Sequence, residues 1–236
     1  VAVYLAKMLF AKKKRRYNYR IIFIPETIGA ITYLSMHFFE MKKNILAGFN
    51  LSCVGDDRTY SYVASRYGET LADKAAKNIL SFRYPAYKSY SFLQRGSDER
   101  QYNAPGIDLP VCAVCRSKYG EYPEYHTSKD NMGLISSSGL QGAYEVYCDI
   151  IEALEHNYVY KIQCCCEPQL GKRGLYPTIS QKSHYGDTKS MMNFIAYADG
   201  TNDLIDISDR IQVPVKELVP IAEMLKKGHL IESVKG

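Results

Sequence analysis

The chain has 236 residues, of which 46% are hydrophobic and 23% are charged, and its formal net charge is +5. This composition is ordinary for a globular protein, and the length allows one large domain or a medium domain with a small one. The positive charge is no larger than that of the basic block at residues 12–16, which argues against general nucleic-acid binding, and no apolar run is long enough to span a bilayer.

Strands and helices are predicted to alternate along the first part of the chain. Hydrophobic periodicity predicts helices over residues 1–11, 29–39, 71–82 and 138–156, and apolar runs predict strands over residues 20–24, 47–54 and 109–114. Short connections between such elements predict a mostly parallel sheet covered by helices on both faces. We therefore expect an α/β domain at residues 1–160. Because Val1 already lies in a helical pattern without a methionine, we expect the chain to begin partway through this domain.

The remaining residues, 161–236, predict a small winged-helix domain. Helices are expected over residues 190–198, 204–211 and 214–227, followed by a strand at residues 230–231. Pro214 suits a helix start, whereas Pro220 predicts a kink or a later start. This part carries 10 Lys or Arg and 9 Asp or Glu, a net of +1. Since phosphate neutralisation dominates DNA affinity, we expect a protein contact or self-association and not nucleic-acid binding.

The cysteines predict a reducing, cytoplasmic setting. The chain has 7 cysteines, three of them adjacent at residues 164–166, which suits free thiols better than a disulfide framework. Cys112 and Cys115 form a CxxC pair inside an apolar, strand-like run. No second pair follows at zinc-ribbon spacing, so a buried structural role is predicted for both.

Two polar segments around the predicted strand at residues 109–114 are candidates for a functional site. Residues 97–103 contain carboxylates and an arginine, and residues 124–130 contain His126 in a Tyr-His-Thr-Ser loop. Loops at strand ends commonly carry the site of an α/β enzyme. The alternative is a polar surface loop with one histidine.

Together with residues 23–29, 49–56 and 167–176, these segments resemble a known group of proteins. The first domain resembles zinc aminopeptidases with co-catalytic metals and is more closely similar to the bacterial DUF4910-type domain. That domain is joined to a C-terminal winged helix and is associated with polysaccharide biosynthesis. The resemblance implies an α/β fold of three layers, of zinc-aminopeptidase type and truncated at its N-terminus, with a winged helix after it.

The resemblance also implies roles for individual residues. Glu26 matches the general base, and His126 matches a zinc ligand. Thr27 stands where the aminopeptidases have a ligating glutamate, and Ser52 stands where they have a ligating aspartate. Three carboxylates are candidate replacement ligands that the motif does not assign: Asp56, Asp57 and Glu99.

The substrate pocket would take a peptide-like or amide-like small molecule. Its expected lining consists of Ser97, Asp98, Glu99, Arg100, Tyr102 and Tyr125. A hydrolytic zinc normally has three protein ligands, and the family's other ligands would lie before Val1, so we expect this chain alone to be inactive. Three hypotheses follow: a metallohydrolase, a non-catalytic binding or scaffold protein on the same fold, and a transcriptional regulator, which near-neutral charge disfavours.

Overall fold

The structure is a computed structural model that describes residues 1–175 and 182–234, with the backbone alone for residues 182–187. The chain forms two compact units, Val1–Ile150 and Ile151–Gly236, and each is described by itself. The domain limits predicted from the sequence, residues 1–160 and 161–236, stay a prediction.

The first unit is built on a four-stranded sheet in the order β1-β4-β2-β3. Two of its pairings are parallel, β1 with β4 and β2 with β3, whereas β2 and β4 run antiparallel. The strands are β1 (Gly48–Asn50), β2 (Ser61–Val63), β3 (Lys88–Tyr90) and β4 (Val111–Cys115). The expected α/β class with parallel pairing is thus confirmed.

Five helices accompany this sheet in the chain. They are α1 (Ala2–Ala11), α2 (Ile28–Asn44), α3 (Leu71–Arg83), α4 (Glu99–Tyr102) and α5 (Ser137–His156), and a short 3₁₀ turn lies at Phe92–Gln94. The four helices predicted from periodicity are confirmed, with ends that differ by a few residues. The strand predicted over residues 20–24 is wrong, because this segment belongs to neither sheet.

Strand β4 lies inside the core of the first unit. All five of its residues are buried, and Val63, Ala113, Cys115 and Tyr119 form one apolar cluster. Cys112 and Cys115 have relative exposures of 0% and 1%, which confirms the buried role predicted for the CxxC pair. Burial raises the pKa of both thiols, so these residues act here as small apolar side chains.

Helix α3 shows how buried polar groups anchor this unit. Thr70 and Asp73 form a capping box, in which each side chain accepts a hydrogen bond from the other's backbone N–H. The Asp73 carboxylate also accepts hydrogen bonds from the Tyr62 hydroxyl at 2.6 Å and from the Ser65 N–H at 2.8 Å. The same carboxylate therefore starts α3 and ties it to strand β2.

The second unit is an antiparallel three-stranded sheet with three helices. Its elements are β5 (Val159–Ile162), α6 (Lys182–Tyr197), β6 (Asp199–Asp203), α7 (Leu204–Ile211), α8 (Val215–Lys227) and β7 (Ile231–Val234), with a 3₁₀ turn at Leu170–Arg173 before α6. The sheet order is β6-β5-β7, and both pairings are antiparallel. The expected winged helix is confirmed, with two strands, β5 and β6, that the sequence did not predict.

Local sequence explains the helices of this unit. Asp203 and Asp206 form the capping box of α7, and Gln212 closes that helix in the left-handed conformation. Pro214, the predicted helix start, is the N-cap of α8, which begins one position later at Val215. Helix α8 continues through the exposed Pro220. The core consists of fully buried residues: Phe194, Leu204, Ile205, Ile207, Leu218, Leu225 and Leu230.

Candidate functional site

The candidate base, Glu26, is an exposed residue on an unusual turn immediately before α2. The Ile28 N–H donates to the Glu26 carbonyl at 2.7 Å, and Thr27 between them has φ 61° and ψ −71°. These angles are those of the rare, strained γ-turn. Such backbone conformations persist only where the surrounding structure fixes them, and they concentrate at functional sites.

The glycine of the same motif is required by close packing. A Cβ atom on Gly29 would lie 2.8 Å from the Ile24 Cβ and 2.9 Å from the Pro25 Cδ. Contacts that short are incompatible with a side chain, so residue 29 must be glycine for α2 to start directly after the turn. The Pro-Glu-Thr-Ile-Gly sequence thus encodes a tight reversal that presents Glu26.

Asp98 and Arg100 hold this turn from the polar segment that the sequence singled out. The Thr27 N–H donates to the Asp98 Oδ1 at 2.7 Å, and the Arg100 Nη2 donates to the Thr27 Oγ1 at 2.5 Å. Asp98 is the residue before α4, and Arg100 lies in that helix. The structure therefore brings the two candidate segments around residues 26 and 98 together, with Thr27 as the point of contact.

Electrostatic effects extend this group to Tyr125. Burial raises the pKa of Asp98, and the negative charge of Glu26 raises it further, while Thr27 and Arg100 act in the opposite direction. Burial likewise raises the pKa of Tyr125, to which the charges of Cys53 and Glu26 also contribute. The pKa values of Asp98 and Tyr125 are thus both raised in part by the charge of Glu26.

His126 lies next to this group on the loop after β4. Its ring stacks on the Tyr125 ring with centroids 4.1 Å apart and planes 16° apart. The backbone at His126 has φ 56°, a left-handed conformation that turns the chain sharply there. The histidine is exposed, so its ring is accessible beside Tyr125.

Arg100 has a donor that is not used within the described part of the chain. Its Nε is buried and has no hydrogen-bond partner there. A guanidinium presents five N–H donors in a planar fork, and the hydrogen bond to Thr27 engages Nη2. Arg100 thus retains donor capacity beside the Glu26 turn.

Three of the expected pocket residues are buried: Ser97, Glu99 and Tyr102. Glu99 has 0% exposure, and its carboxylate accepts bonds from Gly96 N at 2.8 Å, Ser97 N at 3.1 Å, Asn50 Nδ2 at 3.0 Å and the Tyr119 hydroxyl. Ser97 is 6% exposed. Tyr102 packs against α2 in an apolar cluster, and burial raises its pKa to about 12. In this structure Glu99 is hydrogen-bonded to the backbone of its own loop, and Tyr102 packs that loop against the core.

The two aspartates expected as substitute ligands are already hydrogen-bonded elsewhere. Buried Asp56 accepts bonds from Ser117 N at 2.8 Å, Ser117 Oγ at 2.7 Å and Arg58 N at 2.9 Å. Exposed Asp57 accepts bonds from Ser136 Oγ and from Ser138 Oγ at 3.0 Å, and the Ser136 bond is the main cause of its lowered pKa. Their ligand role stays a prediction that requires these bonds to open.

The fit of a zinc ion can be tested on the donor set. Within residues 1–175 and 182–234, no group of three or more His, Cys, Asp or Glu side chains is arranged to hold a metal. Three protein ligands are the usual minimum for a catalytic zinc. The described residues therefore do not fit a zinc ion by themselves, and His126 is left without companions in that part of the chain.

One cavity lies beside the same loop. It has a volume of about 210 Å³ and is lined by Arg58, Glu124, Lys129, Gly133 and Leu134. The Arg58–Glu124 ion pair, with a 2.7 Å contact, forms part of its wall. None of the predicted site residues lines it, so the cavity is separate from the Glu26 turn.

The sequence did not predict the hydrogen bonds made by three residues of this region: Thr27, Asn50 and Tyr119. Thr27 was seen only as a departure from a ligand pattern, although its hydroxyl and N–H connect the turn to Arg100 and Asp98. Asn50 and Tyr119 bind the buried Glu99. Their polar side chains at strand and loop ends were the available signal, but their partners are far away in sequence.

Comparison with known families matches almost the whole chain. Residues 1–157 match the family described as Domain of unknown function (DUF4910), and residues 158–233 match the winged helix-turn-helix family. Helices in the described ranges are all too short or too polar to cross a membrane.

Similar proteins come from Clostridium acetobutylicum. One, named as a candidate polysaccharide biosynthesis protein with an aminopeptidase-like domain, is 38% identical over 233 residues, which are 98% of this chain and 53% of that protein. A crystal structure of a candidate peptidase from the same organism has a TM-score of 0.88 at 35% identity and covers 99% of this chain and 52% of its own. The chain thus spans about half the length of these relatives.

A more distant likeness covers about half of the chain. An aminopeptidase from Aneurinibacillus sp. strain AM-1 matches 54% of this chain and 29% of its own at a TM-score of 0.44 and 19% identity. A likeness of this size carries no argument about chemistry.

Proposed function

The chain belongs to the DUF4910 family, with a winged helix-turn-helix after the family domain, and we propose that its aminopeptidase-like domain hydrolyses a peptide or amide bond with Glu26 as general base. The observation that carries this proposal is the strained turn at Thr27, which Asp98 and Arg100 fix so that the exposed Glu26 carboxylate has a defined position. A general base needs such a position because it must lie within hydrogen-bond reach of the proton it removes.

Each residue of the group has a chemical task in this proposal. Glu26 accepts the proton of the water that attacks the amide carbon and returns it to the leaving nitrogen. Arg100 stabilises negative charge that develops on an oxygen of the substrate, because a guanidinium next to that oxygen is worth more in a partly buried site than in water. Tyr125 forms the wall on which the substrate lies.

The zinc expected from the resemblance needs further ligands. His126 is the proposed ligand within this chain, and additional donors would come from the rest of a protein of the relatives' length. A bound zinc would polarise the substrate and activate water. Because the described residues do not form such a site, the roles above are derived without it.

The test uses the protein as it is expressed from its complete reading frame. Turnover of a panel of aminoacyl p-nitroanilides is measured for the wild type and for Glu26→Gln. Loss of the base should lower kcat about 10²- to 10⁴-fold while substrate binding is retained. The matched control is Glu121→Gln, which changes an exposed carboxylate near Lys118 and should leave turnover unchanged. Equal rates in the wild type and in Glu26→Gln would contradict the proposal.

A second function is favoured by one observation, the use of Thr27 as a hydrogen-bonding residue where aminopeptidases have a ligand. In this alternative the domain binds a peptide-like or amide-like ligand, without turnover, in polysaccharide assembly. Binding with no detectable hydrolysis, unaffected by Glu26→Gln, would support this alternative.

The winged helix is proposed as a protein-docking or self-association module. The exposed face of α8 carries charges of both signs, from Lys216, Glu217, Glu223, Lys226 and Lys227. Mixed charge of this kind offers little neutralisation of phosphates. A steep loss of duplex-DNA affinity with added salt would instead favour the transcriptional regulator. A cytoplasmic location is proposed as well, supported by seven free cysteines.

A further inference from the structure

We propose that α1 and the basic block at residues 12–16 bind the surface of an anionic lipid bilayer. The outward side of α1 enters the interface between headgroups and acyl chains, and the cations of the block lie against the headgroups. This inference goes beyond the proposed function and does not depend on it.

The charge of the chain is concentrated at this place. Residues 1–25 contain 7 Lys or Arg and no Asp or Glu, whereas residues 26–236 contain 23 Lys or Arg and 25 Asp or Glu. The net positive charge of the chain therefore comes from the first 25 residues alone. Five of their cations are contiguous, at residues 12–16, and a block of this kind is typical of a segment that binds a polyanion or an anionic surface.

The basic block lies at the C-terminal end of α1. The helix ends at Ala11, and the Arg15 Nη1 donates to the Leu9 carbonyl at 3.4 Å. A cation at this position offsets the negative end of the helix dipole. One cation is enough for that purpose, so the cap does not account for Lys13 and Lys14, which are exposed on the same loop.

Helix α1 presents an apolar side to the outside. Leu5 and Leu9 are buried and attach the helix to the unit. The outward side consists of five residues with exposed side chains: Val3, Tyr4, Lys7, Phe10 and Ala11. Their spacing places them on one helical face, and four of the five are uncharged. Phe10, at 84% exposure, lies next to the basic block.

The combination of this apolar side with the block selects a lipid surface as the partner. A nucleic acid or another soluble polyanion would engage the cations but leave Val3 and Phe10 in water. An apolar protein surface would cover Phe10 but offer nothing to Lys13 and Lys14. An anionic bilayer satisfies both, as it does for interfacial helices with basic residues and an apolar side.

The dimensions and the remaining side chains suit this position. Helix α1 has 10 residues and is about 15 Å long, so it lies along the surface and does not cross the bilayer. Lys7 has a long aliphatic stem, which lets its ammonium group reach the headgroups while the stem stays among apolar groups. Tyr4 has an apolar ring with a polar tip, a combination that favours the membrane interface.

Vesicle binding tests the proposal directly. The protein, expressed from its complete reading frame, is sedimented with vesicles of phosphatidylglycerol and phosphatidylcholine in equal parts, and with vesicles of phosphatidylcholine alone. We expect binding to the anionic vesicles that is at least about 100-fold tighter and that weakens with added salt. Absence of binding, or equal binding to both kinds of vesicle, would overturn the proposal.

A charge variant locates the binding surface. Replacing Lys13, Lys14 and Arg15 by Gln should weaken binding to the anionic vesicles about 100-fold, because each cation near such a surface contributes about fivefold. The matched control replaces the exposed Lys216, Lys226 and Lys227 of α8 by Gln. This control changes the net charge by the same amount and should leave binding unchanged. Equal losses in the two variants would show that only the net charge matters and would refute the location.

A variant of the apolar side separates a bilayer from a soluble polyanion. Phe10→Ser should weaken vesicle binding about tenfold, since the exposed ring no longer enters the interface. The control is Leu93→Ser, where the side chain is 85% exposed, and it should have no effect. If polyphosphate in solution were bound as tightly as the vesicles and Phe10→Ser changed neither affinity, the partner would be a soluble polyanion and the proposal would be wrong. Circular dichroism and the Tm of each variant verify that it is folded.

Discussion

The two units of this chain differ in where they keep their polar side chains. The first unit buries many of them, namely Asp56, Ser61, Ser65, Asp73, Asn78, Ser97, Glu99, Asn103, Arg116, Ser117 and Lys118, whereas the described part of the second unit buries Glu155, Asn157, Asn202 and Ser208. A buried polar group whose hydrogen bonds are made fixes the geometry around it, as the carboxylates of Asp56, Asp73 and Glu99 do here. The first unit therefore uses buried hydrogen bonds to position its side chains, as expected for the unit with the candidate site.

The strands of the two units show the same difference. In the first unit three of the four strands have three residues each, and long loops connect them. In the second unit the sheet pairs along four-residue and five-residue strands over a core of large aliphatic side chains. The first unit thus depends on specific side-chain bonds, and the second depends on packing.

The largest effect is expected from a cavity in the second unit. Phe194 has 0% exposure, and its ring lies 5.5 Å from that of Tyr160. Phe194→Ala should lower the free energy of unfolding by about 3–5 kcal/mol, as measured by urea denaturation. The control is Tyr197→Ala on the same helix, where the ring is 39% exposed. If both variants lost the same stability, the second unit would not depend on packing.

The next largest effect is expected from Asp73 in the first unit, whose contribution to the free energy of unfolding should depend on pH. Burial would raise the pKa of Asp73, but hydrogen bonds from Ser65, Thr70 and Tyr62 outweigh it and lower the pKa. The folded-state pKa is below the unfolded-state pKa, so the carboxylate contributes stability above about pH 4, which is lost as the pH falls through the folded-state pKa. Asp73→Asn should lower the free energy of unfolding by about 1–3 kcal/mol at pH 7. It should also make that free energy depend less on pH below about pH 4.

The matched residue for this test is in the second unit. Asp199 also has a lowered pKa, caused mainly by the Thr201 hydroxyl, but it is exposed. Asp199→Asn should therefore change the acid limb far less than Asp73→Asn. Denaturant titrations between pH 2 and pH 7 compare the two variants. An equal change would show that burial of the carboxylate is not what matters.

The smallest effects are expected at two helix caps, one in each unit. Thr70 caps α3, and Asp203 caps α7, each in a capping box. Thr70→Ala and Asp203→Ala should each cost about 1 kcal/mol. Each cap makes one further side-chain bond, because the Thr70 hydroxyl donates to the Asp73 carboxylate at 2.6 Å and the Asn157 Nδ2 donates to the Asp203 carboxylate at 2.9 Å, so the two losses should be similar. Thermal unfolding followed by circular dichroism measures both, and a loss several times larger at one cap would contradict the comparison.

The helices could be predicted because their signal is local. Apolar residues recur at helical spacing in α1, α3 and α5, and the caps of α3 and α7 lie in the sequence itself. Strands β2 and β3 were missed because three residues carry too little periodicity. Strand β6 was missed because its sequence, Asp-Gly-Thr-Asn-Asp, is polar and is held by its pairing with β5.

The sequence indicated which segments form the candidate site, but not which of their side chains are exposed and which are buried. The segments around Asp98 and Tyr125 could be singled out because polar residues flank an apolar run, whereas Glu26 was identified from the resemblance to the aminopeptidases. Whether a carboxylate faces the pocket or the core depends on partners far away in sequence. Glu99 is the example, since Asn50 lies 49 residues before it and Tyr119 lies 20 residues after it.

The buried Glu99 has a practical consequence for anyone who wishes to alter the specificity of this protein. Its carboxylate accepts hydrogen bonds from the backbone N–H groups of Gly96 and Ser97. These bonds fix the conformation of the loop whether or not a ligand is bound. Libraries that randomise Arg100 and Tyr125 and keep Glu99 should give folded variants with new ligand preferences. Libraries that include Glu99 should consist largely of insoluble clones.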